Sequence, residues 1–157
     1  MKATQERIAL DARREPWPER YAAAVASQTL IVVRLPSHQP ALFEQITGQF
    51  DSFDWVISQI QSLLDQHAWV ALEHELDIRN LRALPDFVRF VDERFPALAG
   101  VRFEPTTNPD LDMVEGVRRP WWESARHSCH VREVPYTAPP DWSDDGPQAP
   151  GLRAAPK

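Results

Sequence analysis

Three groups of residues in this 157-residue chain carry side chains able to do chemistry. In His127-Ser128-Cys129-His130 a thiol stands among two imidazoles, the donor types that Zn²⁺ and copper prefer, with Glu123 or Glu133 at hand as a fourth ligand. Typical zinc sites draw on two separated pairs, so a second pair here would have to come from His38, His67 or His74 through the fold. The same cluster also reads as a thiol nucleophile, Cys129 activated by a neighbouring imidazole, or as a structural or surface feature with no chemistry. Glu73-His74-Glu75 ends an apolar run, and strand alternation sets Glu73 and Glu75 on one face and His74 on the other. Two carboxylates on one side suit a cation or acid–base work; a strand emerging into solvent is the plainer reading. Trp121-Trp122 stands among Arg118, Arg119 and Arg126, and Trp142 lies between Pro139-Pro140-Asp141 and Ser143-Asp144-Asp145. Arg and Trp are enriched at interface hot spots, and the Trp142 segment has the form of an extended docking motif; a tail folded over its own core is the alternative. With five glycines and no Gly-x-Ser-x-Gly elbow, P-loop or dinucleotide fingerprint, the chain argues against a nucleotide-binding enzyme, and no cofactor is expected.

The elements that would position these groups are α/β. Thr29-Leu30-Ile31-Val32-Val33-Arg34 is continuously apolar and β-branched, which predicts a strand covered on both faces. Trp69-Val70-Ala71-Leu72-Glu73 and Val101-Arg102-Phe103-Glu104 predict two more. Leu42, Phe43 and Ile46 predict a helix within 39–50. Behind an Asp51 or Ser52 cap, Phe53, Val56, Ile57, Ile60, Leu63 and Leu64 form a 3.6-period stripe. A short helix is expected over 76–84, stopped by Pro85, which opens another whose stripe is Phe87, Val88, Val91 and Phe95. Residues 1–28 predict an N-terminal helical extension in two pieces, broken at Pro16-Trp17-Pro18. Beyond Pro105 the prolines at 120, 135, 139, 140, 147, 150 and 156 argue against long helices and inner strands. The expected organisation is therefore an extension (1–28), an α/β core (29–105) with a small, mainly parallel three-stranded sheet packed by helices, and a Pro/Trp-rich irregular arm (106–157), of which residues 135–157 should be removable with the core still folded.

Charge narrows the partners. The net charge is −6, but residues 51–115 hold thirteen acidic and five basic side chains, a local balance of −8. Such a surface repels phosphate backbones and attracts basic proteins, so a protein partner is expected and nucleic acid is not. No apolar run reaches the roughly 20 residues of a membrane span. The first seven residues lack the apolar core of a secretory signal, and a single cysteine forms no internal disulfide; both point to the cytoplasm.

Over residues 30–104 the order and lengths of the elements resemble the barstar-like ribonuclease inhibitors. That family has a three-stranded parallel sheet packed by helices, and its second helix presents acidic and aromatic side chains to the basic active site of a secreted nuclease. In Gln49-Phe50-Asp51-Ser52-Phe53-Asp54-Trp55, the resemblance sets Asp51, Asp54 and Trp55 at those contact positions, and Glu93 at a further acidic one. It implies a non-catalytic immunity or inhibitor protein. The alternatives are an accessory subunit docked through the arm from Trp121 to Trp142, and a metal- or thiol-dependent enzyme centred on His127, Cys129 and His130.

Overall fold

The computed structural model describes residues 4–8, 10, 14–106, 115–139 and 151–157, with residues 115–118 described by their backbone alone. Five parallel strands form one sheet in chain order: β1 (Gln5–Ile8), β2 (Leu30–Arg34), β3 (Val70–Leu76), β4 (Gly100–Pro105) and β5 (Tyr136–Thr137). The crossovers carry α1 (Trp17–Arg20), α2 (Ala22–Ala26), α3 (Pro40–Thr47), α4 (Phe53–Asp65), a 3₁₀ turn (Leu81–Ala83), α5 (Leu84–Arg94) and α6 (Glu115–Val131). With each strand added on the same side, crossovers of the usual hand lay the described helices on one face of the sheet.

That face holds the main core. Ile8, Ile31, Val33, Val70, Leu72, Leu76, Val101, Phe103 and Tyr136 point from the strands into one cluster with the helices. The six-residue stripe of α4 is buried throughout, as is that of α5 with Phe95. The opposite face carries no helix among the described residues. Its apolar part is small, Leu30, Val32, Ala71 and Ala99, with Trp69 and Leu152 against it. Around it Arg7 pairs with Glu73 (2.6 Å) and Arg34 with Glu75 (3.1 Å), while Arg102 reaches Gln5 (2.7 Å). β2 is covered on both faces as expected, Leu30 to Val33 all being buried, but charged side chains and residues 151–153 cover the second face where helices cover the first.

The sheet has five strands, not three, because both flanks contribute. Gln5-Glu6-Arg7-Ile8 is a strand, not helix, registered from Gln5 opposite Leu30 to Ile8 opposite Val33. A polar stretch suits an edge position, where one side of the ladder meets solvent, and only Ile8 of the four is buried. Among the described residues of 1–28, helix survives as α1 and α2, after Pro16. β3 likewise runs on to Leu76, so the expected 76–84 helix shrinks to the 3₁₀ turn.

The irregular arm is corrected most. Residues 115–131 form a 17-residue helix with Pro120 inside it. Proline removes one backbone hydrogen bond, but tertiary burial overrides that loss: Trp122, Ala125 and Cys129, at i, i+3 and i+7, are all buried. Trp122 meets Phe103 edge-on at 5.1 Å and Tyr136 at 6.1 Å, so the two strands and the helix share one aromatic junction. Residues 151–153 then clasp the amino end of the sheet. The Arg153 amide donates to Ala99 O (2.8 Å), its guanidinium to Pro96 O (2.9 Å) and Glu133 O (3.2 Å), and its carbonyl accepts from Trp69 Nε1 (2.9 Å). Gly100 sits beneath, with φ 149°; a Cβ there would lie 2.5 Å from Pro135 O and 2.9 Å from Leu152 Cδ2.

Candidate interaction face at the start of α4

Both α4 and α5 run from the carboxyl ends of the strands back to their amino ends, so the first turn of α4 lies at the end of the sheet where sites collect in parallel folds. Gly48 (φ 69°) ends α3 in the left-handed conformation, its amide donating to Glu44 O at 2.8 Å. Asp51, at φ 53°, is held in that region too, where a non-glycine residue needs support. Two charged side chains supply it. The Asp51 amide donates to Glu44 Oε1 (2.9 Å), and Arg14 Nη2 donates to Asp51 O (2.9 Å). With both ends of its peptide fastened, Asp51 presents an exposed carboxylate, and Asp54 presents another one helical turn on.

Just before them the chain exposes an aromatic ring. Phe50 is 75 % exposed, the largest exposure of any large apolar residue described. It borders a groove of about 140 Å³ whose walls are Leu10, Arg14, Gln49, Ser52, Trp55 and Val56. Trp55 is half-buried and rests edge-on against Trp17, ring centres 5.4 Å apart. Gln59 Oε1 fixes α1 by accepting from the Trp17 amide at 2.8 Å. At the helix start, Ser52 turns its hydroxyl back to Gln49 O (2.7 Å) and does not cap α4. A packed indole wall, an exposed ring and two exposed carboxylates, one on a fastened backbone, make a surface that can grip a partner.

The other predicted positions fall elsewhere. Glu93 occupies the last turn of α5, beside Arg132 at 3.9 Å; the connectivity puts it toward the opposite end of the helical layer from Asp51 and Asp54. Trp122 is core, and Trp121 is half-buried against the same cluster, so this pair anchors α6. Trp142 lies outside the described residues.

Helix geometry also takes apart the His-Cys-His cluster. Cys129 points into the core at 1 % exposure, whereas His127 and His130 are exposed on α6, about 200° and 100° around the helix from it. Three ligands facing apart cannot close on one ion. Burial pushes the Cys129 thiol up to about 12, which keeps it protonated and unreactive near neutrality. His130 Nε2 has Tyr136 Oη at 3.5 Å as its neighbour.

Alternation does hold at Glu73-His74-Glu75. The two carboxylates lie on the open face, taken by Arg7 and Arg34, and His74 is buried on the helical face at 1 % exposure. Sequence reasoning did not anticipate its surroundings: the buried polar residues described, Ser37, His74, Asp77 and Asn80, all gather at the carboxyl ends of β2 and β3. Asn80 bridges Pro36 O (3.0 Å) and Glu75 O (2.6 Å), and Arg79 forks onto Asp77. The signal was available in Asp77-Ile78-Arg79-Asn80, a polar turn after a strand. No helix among the described residues is long and apolar enough to cross a membrane, and none of their side-chain groupings would hold a metal.

No protein-family model matches this chain, and no curated protein matches it significantly.

Proposed function

We propose that the protein is a non-catalytic binding module that engages a basic protein surface through the start of α4, in the manner of an inhibitor or immunity protein. The observation that carries this reading is Phe50, 75 % exposed at the rim of the groove and followed at once in the chain by the exposed Asp51 and, at the start of α4, the exposed Asp54. An exposed aromatic anchor near exposed charge is the make-up of an interface hot spot, and the carboxylates would steer a cationic partner toward it. The acidic balance of residues 51–115 extends the attraction beyond the contact itself and disfavours nucleic acid. An accessory subunit docked through its C-terminal segment is less well supported, since Trp122 and the 151–153 clasp are engaged in the protein's own core and sheet.

The test is photo-crosslinking from a reactive residue placed at position 50, followed by association kinetics with the purified captured protein. A partner with a basic surface should emerge. Its on-rate should fall with rising salt and drop by about tenfold or more for Asp51→Ala with Asp54→Ala. Association indifferent both to salt and to the two substitutions would remove this face from the function.

A further inference from the structure

We propose that His74 and His38 form an acid-released catch that fastens the β2–α3 link and α5 to the sheet. His74 Nδ1 lies 2.9 Å from Leu35 O, and because a carbonyl only accepts, Nδ1 carries the hydrogen. The other nitrogen, Nε2, is then a bare lone pair in the core, with no donor within reach among the described residues. Its ring centre lies 3.9 Å from that of Phe87 of α5 and, in an edge-on arrangement, 5.8 Å from that of Phe103 of β4. His38, in the link itself, packs on Phe87 (6.4 Å) and Phe90 (5.8 Å), and its Nδ1 is also buried without a partner. Phe87 is thus shared by both imidazoles. Leu35 and Pro36 complete the fastening: the Leu35 amide donates to Glu73 O (2.9 Å), and Pro36 O accepts from Asn80.

Protonation works against the burial of both rings, and for His74 this outweighs the stronger hydrogen bond that an imidazolium gives Leu35 O. A proton on His74 Nε2 creates a buried cation whose new N–H has no acceptor. The groups facing it are His38 from the link and Asp77 from the turn after β3; Asp77 is held by Arg79, while α5 and β4 present phenyl rings. His38 is faced by Asp86 and Arg89 of α5, of opposite effect. Burial lowers His38 from its ordinary value and His74 from 6.5 to about 4. For a group whose folded value is depressed, the unfolded or opened state takes up the proton first. The packed form is unaffected above pH 6.5 and loses stability as the pH falls from there toward 4. At pH 5 those two values correspond to an opening about 30-fold more populated than at pH 7.5.

Native-state hydrogen exchange at pH 7.5 and 5.0, corrected for the chemical rate, tests the catch without a partner. Amides of residues 35–47 and 84–94 should gain about 30-fold in opening while the paired amides of β2, β3 and β4 stay protected. In His74→Gln, which keeps a donor for Leu35 O, that gain should disappear, and in His38→Gln it should shrink. A uniform gain across all elements, or a His74→Gln protein with the parental response, would overturn the proposal. Should His74→Gln not fold, ¹⁵N imidazole spectra of the unsubstituted protein decide. Nε2 must be unprotonated at pH 7, and an imidazolium at position 74 at pH 5.5 in an otherwise unchanged fold would sink it.

Discussion

The two faces of the sheet keep out water by different means. On one, the six described helices cover aromatic and aliphatic side chains, and the sequence shows this as stripes of period 3.6 and β-branched runs. On the other, residues of the same strands point the opposite way and carry Arg7, Arg34, Glu73, Glu75 and Arg102, which roof a four-residue apolar patch. Long charged side chains bury their stems while their ends pair above them. The difference teaches that a one-sided helical layer needs its second face closed by something other than packing. Here residues 151–153 share that task.

The sharpest break of this comparison is removal of residues 135–157. It deletes β5 with the buried Tyr136 and the Arg153 clasp together. The loss should approach the ~5–15 kcal/mol that holds a whole domain together, so the truncated chain should show no cooperative melting and poor dispersion by NMR. A folded product would mean that the second face closes without its clasp. Next in size is Trp122→Ala on the helical face. Emptying the junction with Phe103 and Tyr136 should cost about 3–5 kcal/mol in urea denaturation. A loss under about 1 kcal/mol would mean that α6 is not part of the core.

A smaller effect is expected of Gly100→Ala, where the new methyl meets Pro135 O, a backbone atom that cannot swing away, and Leu152. About 1–3 kcal/mol should be lost, and Leu152→Ala should not restore it, because the carbonyl clash remains. Recovery in the double variant would place the strain on the clasp instead. Smallest should be Glu75→Gln on the open face. Glu75 pairs with Arg34 at 3.1 Å with both side chains partly in water, so the change should stay within about 1 kcal/mol and fade with salt. A cost several times larger would show the open face to be as strongly coupled as the helical one.

How far the sequence could be read follows the same division. β2, α4 and α5 were legible because each carries its whole hydrophobic pattern within one short window. β1 was not, since Gln5-Glu6-Arg7 has neither alternation nor β-branching and becomes a strand only because β2 offers an edge. α6 was hidden by Pro120, although Trp122, Ala125 and Cys129 already stood at helical spacing. At the candidate face, Asp51, Asp54 and Trp55 could be placed by the helix start they mark. Phe50 was missed, yet a large ring between Gln49 and Asp51 after a helix-ending Gly48 was a usable sign. Leu10 and Arg14, which wall the groove, lie some forty residues away in the chain, and only the fold brings them there.

Strand order equal to chain order also governs how the molecule can come together. Each strand pairs with the one just before it, so every crossover can settle on a sheet already formed, with short loop closures and little search. Among the described bonds those that stretch that locality furthest are Arg102 to Gln5, 97 residues apart, and Trp69 to Arg153, 84 apart. Both lie on the open face or its rim, and both must await the rest. The nucleus should therefore belong to β2, β3 and β4 with α4 and α5. Substitutions at Gly100 or Arg153 should speed unfolding and leave the folding rate nearly unchanged.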